Sequence, residues 1–193
     1  PFTARGEAKD TVIFIPGSAG LVQGWPTQHW LDLAAELKPR GQKVAVLGQP
    51  QRSEIVRDCL QAGLPHISTP TIIDALDVIS SAKSVIAVDT GLMHLAIHQN
   101  IPTVSLFRYN IMFQRDYPHV RSLVAPRCHQ SCIDIEFSAV PNKVVEFDSF
   151  KENENLNYWE TWKCTAETWE ERCMWAISVE SVLNAVSEIG SVN

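Results

Sequence analysis

One segment, SVIAVDTGLMHLAIHQNIPTVSLF (84–107), carries residue types that can hold a negatively charged group. An apolar run ends in Asp89, Thr90 and Gly91, and His94 follows one turn into a predicted helix. The unpaired N–H groups at the start of such a helix, together with the Thr90 hydroxyl, can bind a phosphate. Asp89 can cap the helix or orient Thr90, and the ring of His94 can donate a hydrogen bond to the same anion.

Each of these residues also has an ordinary structural explanation. Asp or Thr before a helix is a common N-cap without any ligand, and a histidine between Met93 and Leu95 is often packed rather than functional. The loop PGSAG (16–20) matches neither G-x-G-x-x-G nor G-x-x-x-x-G-K-[ST]. The motifs of a Rossmann-type dehydrogenase and of a P-loop NTPase are therefore missing.

The elements that would position this segment alternate between strands and helices from residue 11 to residue 107. Apolar runs predict strands in TVIFIPGSAG, QKVAVLGQP, LPHISTP, SVIAV and IPTVSLF, and helical patterns separate them. In TIIDALDVISSA, Ile73, Leu76 and Ile79 or Ser80 are expected to face the core. This alternation predicts a parallel sheet covered on both faces, with ligands bound beyond the carboxyl ends of its strands.

The rest of the chain lacks this alternation. Residues 1–10 are predicted to be a linker or a trimmed start, 11–107 a doubly wound core, 108–177 an irregular cysteine-containing extension, and 178–193 a closing helix capped by Ser178. The first residues contain neither an initiator Met nor an apolar leader, so we expect either the interior of a longer chain or a trimmed one.

The amino-acid composition indicates which classes of binding partner are unfavoured. With 16 basic and 22 acidic residues the net charge is -6, which argues against a nucleic-acid footprint. Apolar residues make up 45% and charged residues 20%, as in ordinary globular domains. No apolar run approaches the length of about 18 residues that a membrane-spanning helix needs, so no transmembrane segment is expected.

Five cysteines are present, and four of them fall in the last third of the chain. Cys59 lies in a helical pattern and is predicted to be buried. Four thiolates can bind one zinc or iron ion, and the candidates are Cys128, Cys132, Cys164 and Cys173. Their spacing contains no C-x-x-C pair, so free thiols or a disulfide remain alternatives to a structural metal.

Several of these segments resemble one enzyme family. AVDTGLMHLAIHQNIPTVSLF closely resembles the D-[TS]-G-x-x-H-x-A segment of the ADP-heptose:lipopolysaccharide heptosyltransferases. IPGSAGLVQGWPTQHWLDLAAEL resembles the phosphate loop of that family, and KVAVLGQPQRSE resembles its next strand and loop. RCMWAISVESVLNAV is similar to its Cys-Met segment before the final helix, so the likeness covers residues 12–107 and 172–186.

The resemblance implies an α/β fold, a Rossmann-like doubly wound parallel sheet that forms the C-terminal, donor-binding half of a GT-B glycosyltransferase. It implies an inverting transferase of bacterial lipopolysaccharide biosynthesis that uses a nucleotide-diphosphate-sugar donor, ADP-heptose first, and needs no cofactor for the chemistry. The acceptor would be a lipid-linked saccharide or a protein. The protein would be cytoplasmic, and it would work at the inner face of the inner membrane if the acceptor is lipid-linked.

The resemblance also assigns donor-binding residues. The diphosphate would be held by Ser18, Ala19, Thr90, Gly91 and His94. Asp89 would orient that turn or reach the sugar, Glu54 would bind the ribose hydroxyls, and Ser68 and Thr69 would border the base.

Two departures from the family pattern limit what the resemblance implies. Gln23 stands where the family usually has Lys or Arg, so the cation for the leaving group would come from elsewhere, such as Arg108 or Arg115. The catalytic base is expected in an N-terminal domain that this chain does not contain, so the chain alone is expected to be inactive. The alternative function is a non-catalytic GT-B-like module that binds a nucleotide or a partner and has a cysteine-bound metal.

Overall fold

The computed structural model describes residues 6, 8–17, 24–108, 117–126, 168 and 170–190. The strands are β1 Thr11–Ile15, β2 Lys43–Leu47, β3 His66–Ile67, β4 Ser84–Val88, β5 Thr103–Phe107 and β6 Val120–Val124. The α-helices are α1 Thr27–Leu37, α2 Glu54–Gln61, α3 Ile72–Ser81, α4 Gly91–His98 and α5 Val179–Gly190, and short 3-10 turns cover Lys38–Arg40 and Cys173–Ala176.

The strands form one sheet in the order β3-β2-β1-β4-β5-β6, and every neighbouring pair is parallel. All residues of β1, β4 and β5 are buried, which explains why these strands are continuous apolar runs in the sequence. The chain starts at the centre with β1, winds outward to β3, and returns to β4 on the other side of β1. The strand order therefore reverses between β1 and β4, the position where open α/β sheets bind ligands.

Helices cover both faces of this sheet. On one face, Phe14 and Trp30 pack with residues of α1, α2 and α5. On the other face, Ile13, Val85 and Met93 pack with residues of α3 and α4. The predicted fold class, a Rossmann-like doubly wound parallel sheet, is confirmed.

Side-chain caps stabilise the starts of α2, α3 and α5. Ser53 Oγ accepts a hydrogen bond from Val56 N at the start of α2. Thr71 and Asp74 form a reciprocal capping box at the start of α3. At the start of α5, Ser178 Oγ accepts from Ser181 N at 3.1 Å, as the predicted cap requires.

Two features of the fold differ from the prediction. Ile73 does not face the core but is 58% exposed, because the first turn of α3 lies at the carboxyl edge of the sheet and the helix packs through Ala75, Val78 and Ile79. A sixth strand, VRSLV, pairs with β5 within the stretch predicted to be irregular. It is a half-exposed edge strand, so it lacks the apolar run by which the buried strands are recognised.

Candidate functional site

A cleft of about 720 Å³ opens beyond the carboxyl ends of β1, β2 and β4. The loops after β1, β2, β3 and β4 and the first turns of α3 and α4 form its walls. Its lining residues are Ile15, Gly17, Gly48, Gln49, Arg52, Ser53, Thr69, Pro70, Thr71, Ile72, Ala75, Asp89, Thr90, Gly91, Leu92 and His94. The cleft lies at the reversal of strand order, and its volume is within the range of about 300–1,000 Å³ usual for small-molecule sites.

The turn at Thr90 and Gly91 opens α4 directly into this cleft. Thr90 is extended (φ -150, ψ 162) and its Oγ accepts a hydrogen bond from Met93 N at 3.2 Å, so Thr90, not Asp89, is the N-cap. The N–H groups of Gly91 and Leu92 have no acceptor within their own helix and lie on the positive end of its dipole. This end of α4 can therefore bind an anion.

Asp89 and His94 contact each other beside this turn. His94 Nε2 lies 3.4 Å from Asp89 Oδ1, and the two side chains are 27% and 20% exposed. The contact fixes the imidazole near the first turn of α4, within the cleft lining. A protonated His94 forms an ion pair with Asp89, and the ring is placed to contact a ligand bound at the same helix start.

The loop between β2 and α2 forms the wall on the far side of β1. The N–H groups of Arg52 and Ser53 both donate to Gln49 O, at 3.0 and 3.1 Å. Gly48 has a positive φ of 153, and a Cβ there would lie 2.8 Å from Val56 Cγ2. Its carbonyl oxygen lies 3.0 Å from His66 Nε2. These contacts hold the loop in one conformation above the cleft.

The comparison that decides the family covers most of the chain. Residues 2–126 match the model of glycosyltransferase family 9 (heptosyltransferase). The chain belongs to this family.

Its relatives include enzymes of lipopolysaccharide biosynthesis. It is 32% identical over 102 residues to lipopolysaccharide heptosyltransferase 1 of Pseudomonas aeruginosa, covering 50% of this chain and 28% of that enzyme. It is 31% identical over 103 residues to lipopolysaccharide heptosyltransferase 2 of Escherichia coli K12, covering 49% of this chain and 30% of that enzyme.

The fold matches a solved member of the family. E. coli heptosyltransferase WaaC with ADP aligns with a TM-score of 0.66 at 15% identity, covering 97% of this chain and 46% of that one. The matched part of this chain thus covers less than half the length of each of these relatives.

The structure brings five of the predicted donor-binding residues into one cleft, namely Thr69, Asp89, Thr90, Gly91 and His94. Glu54 and Ser68 do not line it: Glu54 pairs with Arg57 at 3.5 Å on the exposed surface of α2, and Ser68 is exposed. Ser18, Ala19 and Gln23 lie outside the described residues, although Gly17, just before them, lines the cleft.

Arg52 and Ile72 line the cleft and were not predicted. The available signal was their position just after β2 and β3, at the carboxyl edge of the sheet. The two arginines suggested as the cation do not supply it within the described structure: Arg108 is 7% exposed and does not line the cleft, and Arg115 lies outside the described residues.

The cysteine-metal hypothesis falls mostly outside the described part of the chain. Cys128, Cys132 and Cys164 lie outside it, and Cys173 is buried at the start of a 3-10 turn. The described residues contain no group of three or more His, Cys, Asp or Glu that could hold a metal ion. A structural relative, TibC of enterotoxigenic E. coli, is an iron-containing dodecameric glycosyltransferase (TM-score 0.60, 16% identity, covering 95% of this chain and 46% of that one).

Cys59 is a buried residue of α2, as predicted. Burial, with a smaller effect from Asp58, raises the pKa of Cys59 to about 12, so its thiol stays protonated and packs in the core.

No helix in the described ranges has the length and apolar character required to cross a membrane.

Proposed function

We propose that this chain binds the nucleotide-diphosphate-sugar donor of a heptosyltransferase-like, inverting glycosyltransferase, with ADP-heptose as the first candidate. The observation that carries the proposal is the start of α4 at Thr90 and Gly91, which opens into the cleft at the reversal of strand order. Solved relatives support the choice of donor, since there are structures of E. coli WaaC with ADP and with ADP-2-deoxy-2-fluoro heptose.

In this proposal the diphosphate lies at the N–H groups of α4. Gly91 and Thr90 bind its oxygens, His94 donates from its ring, and Ser18 and Ala19 approach from the first loop with Gln23 as a neutral donor. Asp89 holds His94 in place or reaches the sugar. Thr69, with Ser68 near it, borders the base, where Pro70 and Ile72 add apolar surface.

The chemistry this site would assist is departure of the nucleoside diphosphate from the anomeric carbon. The acceptor hydroxyl attacks from the opposite face, which inverts the configuration, and negative charge develops on the departing phosphate oxygen. Fixed N–H dipoles aimed at that oxygen stabilise the charge where it appears. No cofactor is needed for this step, and a zinc or iron ion at the cysteines would be structural.

The catalytic base and the acceptor site are proposed to lie in the part of the relatives that this chain does not match. The acceptor is a lipid-linked saccharide, as the names of the curated relatives indicate for those enzymes, or a protein. With a lipid-linked acceptor the workplace is the cytoplasmic face of the inner membrane. Neither nucleic acid nor a membrane anchor has a role in the proposal.

Calorimetric titration of the chain with ADP, ADP-heptose, UDP and GDP tests the proposal. We expect ADP and ADP-heptose to bind preferentially, and His94→Ala to weaken both several-fold. His98→Ala is the matched control, because His98 is an exposed histidine on the same helix and lies outside the cleft lining. Failure of a folded sample to bind any of the four would contradict the proposal and favour the non-catalytic interaction module.

A further inference from the structure

The described lining of the cleft contains one permanent cation, Arg52, and one carboxylate, Asp89. Asp89 contacts His94 on the β4 side, so the polar end of α4 carries a carboxylate close to where an anion would bind. A diphosphate held there would be repelled by Asp89 unless a cation offsets it. The net charge of -6 does not attract an anionic ligand to the protein. A permanent positive charge in the described lining would offset this repulsion.

Arg52 is placed to provide it from the other side of β1. Strand order puts β2 and β4 on opposite sides of β1, so the loop that carries Arg52 and the turn at Gly91 flank the carboxyl end of the same central strand. The backbone of Arg52 is fixed by its hydrogen bond to Gln49 O. Within the described part of the chain its exposed guanidinium makes no hydrogen bond or ion pair.

The neighbour of Arg52 also contacts the beginning of the first loop. A Cβ built on Gly17 would lie 3.1 Å from Ser53 Oγ and 3.0 Å from Val56 Cγ2, so Gly17 lies close to these two side chains. Gly17 and Arg52 line the same cleft. A ligand bound between Gly17 and the start of α4 would lie beside this wall.

We propose that Arg52 binds the diphosphate of the donor and stabilises it as the leaving group. This inference rests on the proposed function. During transfer the bond between the anomeric carbon and the phosphate oxygen breaks, and its electron pair stays on that oxygen. The acceptor oxygen bonds to the carbon and loses its proton to the base. A guanidinium can contact two phosphate oxygens at once, and its charge interacts more strongly with the departing nucleoside diphosphate than with the intact donor.

The test compares ADP and ADP-heptose binding in the wild type, Arg52→Gln, Arg52→Lys and Arg57→Gln. Arg57 is the matched control, because it is an exposed arginine on α2 that pairs with Glu54 and lies outside the cleft lining. We expect Arg52→Gln to weaken ADP about tenfold or more and ADP-heptose less, Arg52→Lys to recover part of the loss, and Arg57→Gln to stay near the wild type. ADP binding by the wild type should also weaken more steeply with added salt than binding by Arg52→Gln.

Two outcomes overturn the inference while the proposed function survives. The first is ADP binding by Arg52→Gln within twofold of the wild type, as expected for a solvated surface arginine. The second is a loss for ADP no larger than the loss for ADP-heptose, which would remove the leaving-group role. A wild type that binds neither ligand overturns the proposed function and this inference together. Thermal unfolding of each variant verifies that a change in affinity is not a loss of fold.

Discussion

At the scale of single residues, Gly91 is a position where the local fold does not need glycine but a bound phosphate would. Its φ is not in the left-handed region, and a Cβ built on it would meet no protein atom within 4 Å in the described structure. Nothing in the local fold therefore demands glycine there. A side chain at 91 would instead occupy space at the helix start that faces the cleft. Under the proposed function, close approach of a phosphate to the backbone would account for the glycine.

We expect Gly91→Ala to leave the free energy of unfolding unchanged, or to raise it by up to about 1 kcal/mol, because alanine is the better helix former. The same substitution should weaken ADP binding, since the methyl group enters the anion site. Urea unfolding and calorimetry measure the two effects separately. Gly63→Ala is the control, and we expect opposite effects from it. Gly63 has a φ of 92, so alanine there should strain the backbone and lower the free energy of unfolding while ADP affinity stays unchanged. A destabilised Gly91→Ala with unchanged affinity would show that this glycine serves the fold.

At the scale of elements, an aromatic cluster joins the start of α1 to the segment before α5. Trp25 Nε1 donates to Ile177 O at 2.8 Å. The ring of His29 lies between Trp25 and Trp175, with centroid distances of 5.2 and 4.6 Å. These contacts link residues far apart in sequence on the face that holds Phe14 and Trp30. Burial lowers the pKa of His29 below its ordinary value of 6.5, and Asp32 opposes this only partly.

Protonation of His29 should therefore favour unfolding. Its pKa is lower in the folded state, so between that pKa and 6.5 the unfolded chain binds more protons and stability rises with pH. The contribution of His29 is complete above pH 6.5 and is lost progressively as pH falls below it. Urea unfolding from pH 8 to pH 5 measures this for the wild type and for His29→Phe, which keeps an aromatic ring but cannot titrate. The wild type should lose more stability than His29→Phe over this range, and parallel curves would contradict the assignment.

The elements that could be predicted from sequence are those whose burial produces a simple pattern of apolar residues. Strands such as β4 and β5 are buried on both faces and become apolar runs, whereas β6 is half exposed and shows none. The positions of Asp89 and His94 followed from the rule that ligands bind at the carboxyl ends of strands. The same rule indicates the loop after β2 but does not single out Arg52, because only the conformation of the Gln49–Ser53 loop decides which of its side chains line the cleft.

At the scale of the whole molecule, the sheet places its reversal of strand order, its open cleft and the start of α4 at one edge. In the proposed function, this edge would contact one side of a bound nucleotide sugar. An acceptor hydroxyl must attack the anomeric carbon from the side opposite the departing diphosphate. In the described lining Asp89 and His94 contact each other at 3.4 Å and lie at the proposed diphosphate end. They are therefore poorly placed to remove a proton from an acceptor.

We expect this chain to bind ADP-heptose but not to transfer heptose. The chain covers 46% of the WaaC chain, and the proposed base and acceptor site belong to the part it does not match. Release of ADP from ADP-heptose, measured with a truncated lipopolysaccharide acceptor, should not exceed the background without protein, while E. coli WaaC serves as the positive control. ADP release that depends on acceptor would contradict this expectation. If His94→Ala abolished that release even at saturating ADP-heptose, the base would lie on α4 and the Asp89–His94 pair would be a catalytic dyad instead of a diphosphate clamp.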